Sequence, residues 1–197
     1  MSARLSHTDA RGRVRMVDVG DKAETAREAV ASAAVRMSTA TLGLAMGGQG
    51  SVSGSAPKGD VVATARLAAI AALKRTAEWI PLCHPVRLVG CAVDIDADDQ
   101  LPGIRVRVTA RAFDRTGVEM EAMVGAAAAA LTIYDMVKGA ERGVEILNVR
   151  LEEKRGGRTG PWRRSLNATG TSATPQAAHR QGRGSTRGRK SHSRPDR

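Results

Sequence analysis

Apolar positions along this chain follow two rhythms, and the switches between them predict its elements. Ala29, Ala31, Ala33, Val35 and Met37 recur at every second residue, the period of a strand with one buried face, although residues 22–37 are also built from good helix formers. Leu42, Leu44 and Met46 follow Ser38-Thr39-Ala40-Thr41, whose hydroxyls suit the free amides of a short helix that stops at Gly47-Gly48. Val61, Ala65, Ala68, Ala69, Ala72 and Leu73 return at helical spacing behind Asp60, a capping residue. Lys74 and Arg75 suit the negative pole of that helix, which is expected to end before Pro81. Val89, Cys91, Val93 and Ile95, then Ile104, Val106, Val108 and Ala110, alternate with Asp94, Asp96, Arg105, Arg107 and Arg111. That pattern is a hairpin turning at residues 98–103, with one solvated face. After the turn at Asp114–Gly117, an alanine-packed run with no proline reads as one helix closing at Tyr134–Lys138, stopped by Gly139 and Gly143. Residues 144–151 read as a last strand, leaving through a basic glycine loop, Lys154 to Gly160.

With residues 28–37 taken as a strand, the order becomes strand, helix, strand, strand, helix, strand. This is the α+β, ferredoxin-like (βαββαβ) order: an antiparallel sheet covered by helices on one face, here with an extra short N-terminal helix. Periodicity alone leaves residues 22–37 open between helix and strand; the global order decides for the strand. Of 197 residues only 2% are aromatic, so the core must come from Val, Leu, Ile, Met and many alanines, which favours close backbone approach. The formal charge of +11 is unevenly placed: from Ser165 onward seven Arg or Lys face one acid, Asp196, so +6 lies there and +5 in residues 1–164. The 165–197 stretch is almost free of apolar residues and is read as a disordered basic tail behind a 1–164 domain. No aromatic follows Trp162 to stack on bases, so nucleic acid is not expected as a partner. Cys83 and Cys91 form no metal or disulfide pattern, and no signal or membrane-spanning run is read, which points to the cytoplasm.

Candidate chemistry concentrates on the last helix. Glu121 and Asp135 lie about 40° apart on one face but about 21 Å apart along the axis, at about 100° and 1.5 Å per residue. Both serve one ligand only if it is long or if a second subunit supplies one of them. Asp135 and Lys138, three apart, sit side by side, either as a proton-sharing pair or as a surface ion pair on a helix end. His84 is held between Pro81 and Pro85 in a stiff extended loop, suited to a site or to a structural role. Gly47 to Pro57 is a glycine and serine loop leading to Lys58; it lacks the Walker spacing, and reads as a connection or as a lid that carries Lys58 to an anion.

Several runs together resemble a known family. They are Met16-Val17-Asp18-Val19 with Lys22, Thr25 and Arg27; Lys58-Gly59-Asp60-Val61 with Ala63–Arg66; Ile80–Pro85; Thr116–Ala122; Ala130–Met136; and the Lys154 glycine loop. From about residue 5 to 162, in order, the chain is similar to the molybdenum cofactor biosynthesis protein C family, the cyclic pyranopterin monophosphate synthases. The resemblance implies a lyase that converts a cyclised dihydroguanosine triphosphate to the cyclic monophosphate with loss of pyrophosphate. It implies a homohexamer, a trimer of dimers, with active sites at subunit interfaces. It gives Asp135, Lys138 and Lys58 catalytic roles, and Leu82, Cys83, His84, Glu119, Met120, Glu121 and Lys154 substrate contacts. No metal ligand set or resident cofactor is expected, beyond Mg2+ accompanying the triphosphate. Arg158 stands where the family's pattern leads one to expect a lysine, which keeps the charge but alters the donor geometry. A regulatory module binding a small anion without turnover, and a nucleic-acid binder driven by the tail, are the readings from other classes.

Overall fold

The computed structural model of the protein describes residues 7–9, 11–47 and 60–165. Lys58, most of the 47–57 loop and nearly all of the 165–197 tail lie outside them. Five strands form one antiparallel sheet: β1 (Thr25–Arg36), β2 (Leu88–Asp98), β3 (Gly103–Asp114), β4 (Glu145–Arg155) and the two-residue β5 (Trp162–Arg163), in the order β2-β3-β1-β4-β5. The helices are α1 (Thr39–Ala45), α2 (Val61–Leu73), α3 (Thr76–Trp79) and α4 (Glu119–Val137). The ferredoxin-like order expected from the sequence is present, with β5 added at the β4 edge.

β1 is a strand although alanine is a poor strand former. It is hydrogen-bonded on both sides, to β3 and β4, and Ala29, Ala31, Ala33 and Val35 are wholly buried on its helix-covered side. Central pairing and burial override propensity there. α4 packs on β1, β3 and β4, and α2 packs beside it over β2. The small side chains let these layers approach closely: a Cβ on Gly125 of α4 would lie 3.2 Å from Val108 of β3 and 3.4 Å from Leu73 of α2. Leu73, Ile104 and Ile133 are the largest buried side chains, each contributing about 1.5–3 kcal/mol by removal from water. α4 has the length and composition to cross a bilayer, yet most of it is buried inside the protein, as in a core helix.

Several local expectations need correction. The helix does end before Pro81 with Lys74 and Arg75 at its close, but a separate short helix, α3, follows it: the Thr76 hydroxyl donates to the Leu73 carbonyl at 3.0 Å where the chain turns. Val89 does not face the core: the β2–β3 register shifts between Leu88 and Gly90, and this bulge leaves Val89 67% exposed while Leu88 is carried to the inner side. Lys154 is not in a loop; it lies on β4, which runs to Arg155. Both helix caps are as expected: Ser38 accepts from the Thr41 amide at 3.2 Å, and Asp60 from the Ala63 amide at 2.8 Å.

Candidate active site

The register gathers chemistry at one end of the sheet. Thr25 pairs with Asp114, Glu28 with Arg155, and Leu88 with Ala112, so the start of β1, the ends of β3 and β4, and the start of β2 come together. α4 begins at the same end with Glu119. A bulge decides which way the lysine of β4 faces. Ala31 pairs with Leu151 but Val30 with Glu153, so Glu152 is the extra residue and Lys154 stands opposite Ala29, on the helix-covered side. Without that extra residue Lys154 would pair with Glu28, one step out of phase. In the bulged strand its amine lies 3.2 Å from a Glu119 carboxylate oxygen and donates to the Thr159 hydroxyl at 3.1 Å.

Two cavities meet at this end. The larger, of 460 Å³, is walled by Leu82, Cys83, His84, Met120 and Glu121, with Val17 and Val19 on the N-terminal side. The smaller, of 190 Å³, is basic: Arg27, Arg115, Lys154 and Arg155 line it with Gly156 and Gly157. Lys22, Thr116, Gly117, Glu119 and Arg158 line both. Gly156 and Gly157 adopt φ of 86° and 81°, and a Cβ on Gly156 would overlap the Ala26 carbonyl, so only glycine lets the loop close against β1. The prolyl loop is anchored from β3, where the Asp114 carboxylate accepts from the Arg87 amide at 3.0 Å. Burial pushes the Asp114 carboxyl up, but the amides of Arg87 and Arg115 and both guanidinium groups outweigh it and hold it below its ordinary value.

Glu121 is the buried acid of the site, 4% exposed. Burial first, then the neighbouring Glu119 and Asp114 charges, push its carboxyl up to about 7 against the lowering effect of its own backbone N–H. Cys83 is raised by burial and by Glu121, which keeps it a thiol. Among the described residues no three His, Cys, Asp or Glu side chains cluster as a metal site would need.

Of the candidates named from the sequence, Leu82, Cys83, His84, Glu119, Met120, Glu121 and Lys154 are brought together. Asp135 and Lys138 are not. They lie at the opposite end of α4, paired at 2.6 Å, with side chains 54% and 49% exposed, and they line neither cavity. The bond to Asp135, with its charge, raises the Lys138 amine above its ordinary value. Sequence reasoning missed His7 as a cavity residue: an isolated bridge between Thr8 and Val14 folds the N-terminal stretch into a small hairpin that carries it to the cavity, and no local motif announces this. Arg115 was also missed; its place after Asp114, in the turn that starts α4, was the available signal.

The family model described as the MoaC family matches residues 16–157. The chain is 53% identical over 162 residues to proteins named cyclic pyranopterin monophosphate synthase from Brucella ovis and Brucella abortus, and 52% identical to the one from Brucella canis; each match covers 82% of this chain and 94% of the relative.

Proposed function

The chain belongs to the MoaC family, and from that premise we propose that it converts (8S)-3′,8-cyclo-7,8-dihydroguanosine 5′-triphosphate to cyclic pyranopterin monophosphate with release of pyrophosphate. It is then a phosphorus–oxygen lyase of molybdenum cofactor biosynthesis. The observation that carries the reading is the joined pair of cavities: a mixed, 460 Å³ chamber opening at Glu119 into a basic, 190 Å³ one. A fused base fits the first, against Leu82, His84 and Met120, with Glu119 facing its hydrogen-bonding edge and Glu121 its five-membered ring. A polyphosphate fits the second, where Lys154, Arg27 and Arg158 offset the charge that develops as pyrophosphate leaves.

Asp135 and Lys138 reach this substrate from a second copy of the chain. Within one chain α4 separates them from Glu121 by about 21 Å. Leu131, one turn before Asp135 on the same face, is 54% exposed and forms a 300 Å³ apolar groove with Trp79, Ala68 and Ala128. A neighbouring copy that covers this groove lies beside Asp135, which favours the homohexamer, a trimer of dimers, with shared sites. Asp135 and Lys138 then exchange protons during the rearrangement, and the role proposed for Lys58 is to offset phosphoryl charge. The conversion is redox-neutral, so the reading needs no resident cofactor, and a divalent ion enters with the triphosphate. We assign the reaction to the cytoplasm, whose reducing conditions suit the free thiols of Cys83 and Cys91.

The test is incubation of the purified full chain with the cyclised nucleotide, scored by pyrophosphate release and product mass. Asp135→Asn is expected to abolish product while ligand binding survives. A ligand recovered with its mass unchanged by the wild-type protein would make this a binding module and sink the reading.

A further inference from the structure

Glu119 and Glu121 stand two positions apart at the head of α4 in different surroundings. Glu119 meets Lys154 at 3.2 Å, and its side chain is 30% exposed. Glu121 lines the larger cavity while 4% exposed, and no Lys, Arg or His among the described residues lies within ion-pair distance of it. The groups that face it are Cys83 and His84 from the prolyl loop, His7 and Lys22 from the N-terminal segment, Arg158 from the β4–β5 loop, Glu119 of its own helix and Asp114 at the end of β3. The charges that act on it are those of Glu119 and Asp114, both negative, and they act in the same direction as burial. Two carboxyls whose environments differ in this way divide into an acceptor and a donor.

Resting on the proposed function, we propose that Glu121 enters each turnover as the neutral carboxylic acid and is the proton donor that opens the five-membered ring of the substrate's purine, while the ion-paired Glu119 only accepts hydrogen bonds. In this step the bond from the saturated ring carbon to one ring nitrogen breaks. Its electron pair goes to the departing nitrogen, which takes the Glu121 proton. The lone pair of the other nitrogen on that carbon forms the C=N bond, and the N–H proton of that nitrogen passes to water. Glu121, left as carboxylate, regains a proton from solvent through the cavity, so the step is a net isomerisation without an oxidant.

Two measurements on the full chain test this. In the first, protein carrying carboxyl-¹³C-glutamate is titrated without substrate. One carboxyl is expected to titrate near neutral pH and to be lost in Glu121→Gln; if every glutamate titrates in the ordinary carboxylate range, the proposal is overturned whatever the enzyme's substrate proves to be. In the second, Glu121→Gln, which keeps the shape and a neutral donor but has no acidic proton, is expected to lower kcat about 100-fold or more with substrate Kd within about threefold. Wild-type kcat/KM should fall as pH rises above neutral, and Glu121→Asp should keep such a limb. A Gln variant with wild-type kcat would show that Glu121 transfers no proton. Failure of wild-type protein to release pyrophosphate would instead strike the proposed function and overturn the donor role with it, while the ¹³C titration would still decide whether Glu121 is neutral in the resting chain.

Discussion

If the cleft of one copy works with the α4 end of another, two inactive chains should repair each other. His84→Ala removes a cleft group that is only partly buried, and Asp135→Ala removes an exposed one, so both variants are expected to fold. The separation that makes the experiment decisive comes from α4: fourteen residues of continuous helix hold the head and tail about 21 Å apart, beyond what side-chain rotation closes. Each variant alone should lose about 100-fold or more in turnover, the scale of a missing acid–base group, about 2.7 kcal/mol. In an equimolar mixture refolded together, a site is intact when its cleft comes from the Asp135→Ala chain and its aspartate from the His84→Ala chain. Random symmetric pairing therefore restores about a quarter of wild-type activity per chain. A second mixture serves as control: wild type refolded with an equal amount of the double variant gives about a quarter of wild-type activity per total chain if sites are shared, and about half if each chain is self-sufficient. Initial rates of pyrophosphate release, with composition checked by two affinity tags, give both values. No recovery in the first mixture together with one half in the second would refute the shared site.

Three further outcomes follow from the geometry. Gly125→Leu drives a side chain into Val108, Ala69 and Leu73, which stand 3.2–3.4 Å from the position of its first carbon, and should cost about 1–3 kcal/mol in urea unfolding; an unchanged midpoint would mean that the α2–α4–β3 contact is looser than described. Gly156→Ala places a Cβ against the Ala26 carbonyl at φ 86° and should raise KM more than it lowers kcat, because the loop it displaces lines the basic cavity; an unchanged KM would remove that loop from the site. The Glu121 carboxyl is raised to about 7 from 4.5, so the native chain binds more protons than the unfolded chain between those values, and stability falls as pH rises through that window. Glu121→Gln should therefore be more stable than wild type by about 3 kcal/mol above pH 7 and near parity below pH 4.5, read from urea midpoints; a pH-independent difference would sink the reasoning.

Much of the fold was legible because its elements carry their own signals. The inward alternation of Ile104, Val106, Val108 and Ala110, and the caps at Ser38 and Asp60, depend only on neighbours in sequence. What the pattern left undetermined was set by partners remote in sequence. The alanine-rich β1 could be told from a helix only through its two flanking strands. Val89 turned outward through a register shift that its own alternation does not show. In the site, the prolyl loop and the head of α4 were readable as stiff or acidic segments, but their meeting depends on the hydrogen bond from Arg87 to Asp114, 27 residues apart. His7 reaches the cavity through the small hairpin of the Thr8–Val14 bridge, which no spacing of residues announces.

The bulge at Glu152 shows why offsets between strands, rather than motifs within them, assemble this site. One additional residue in β4 turns Lys154 toward the helices, where it finds Glu119; the glycines that follow then close the loop around the basic cavity. At the other end of α4 stands an exposed ion pair one turn beyond an exposed leucine. A continuous helix cannot bend its tail back to its own head, so if Asp135 serves the cleft as proposed, activity depends on association. Any change that uncovers Leu131 should then lower turnover and oligomeric size together, although Leu131 touches neither cavity. Leu131→Lys, followed by sedimentation and pyrophosphate release on the same samples, checks that coupling: a smaller species with full activity would separate assembly from chemistry and place the whole site within one chain.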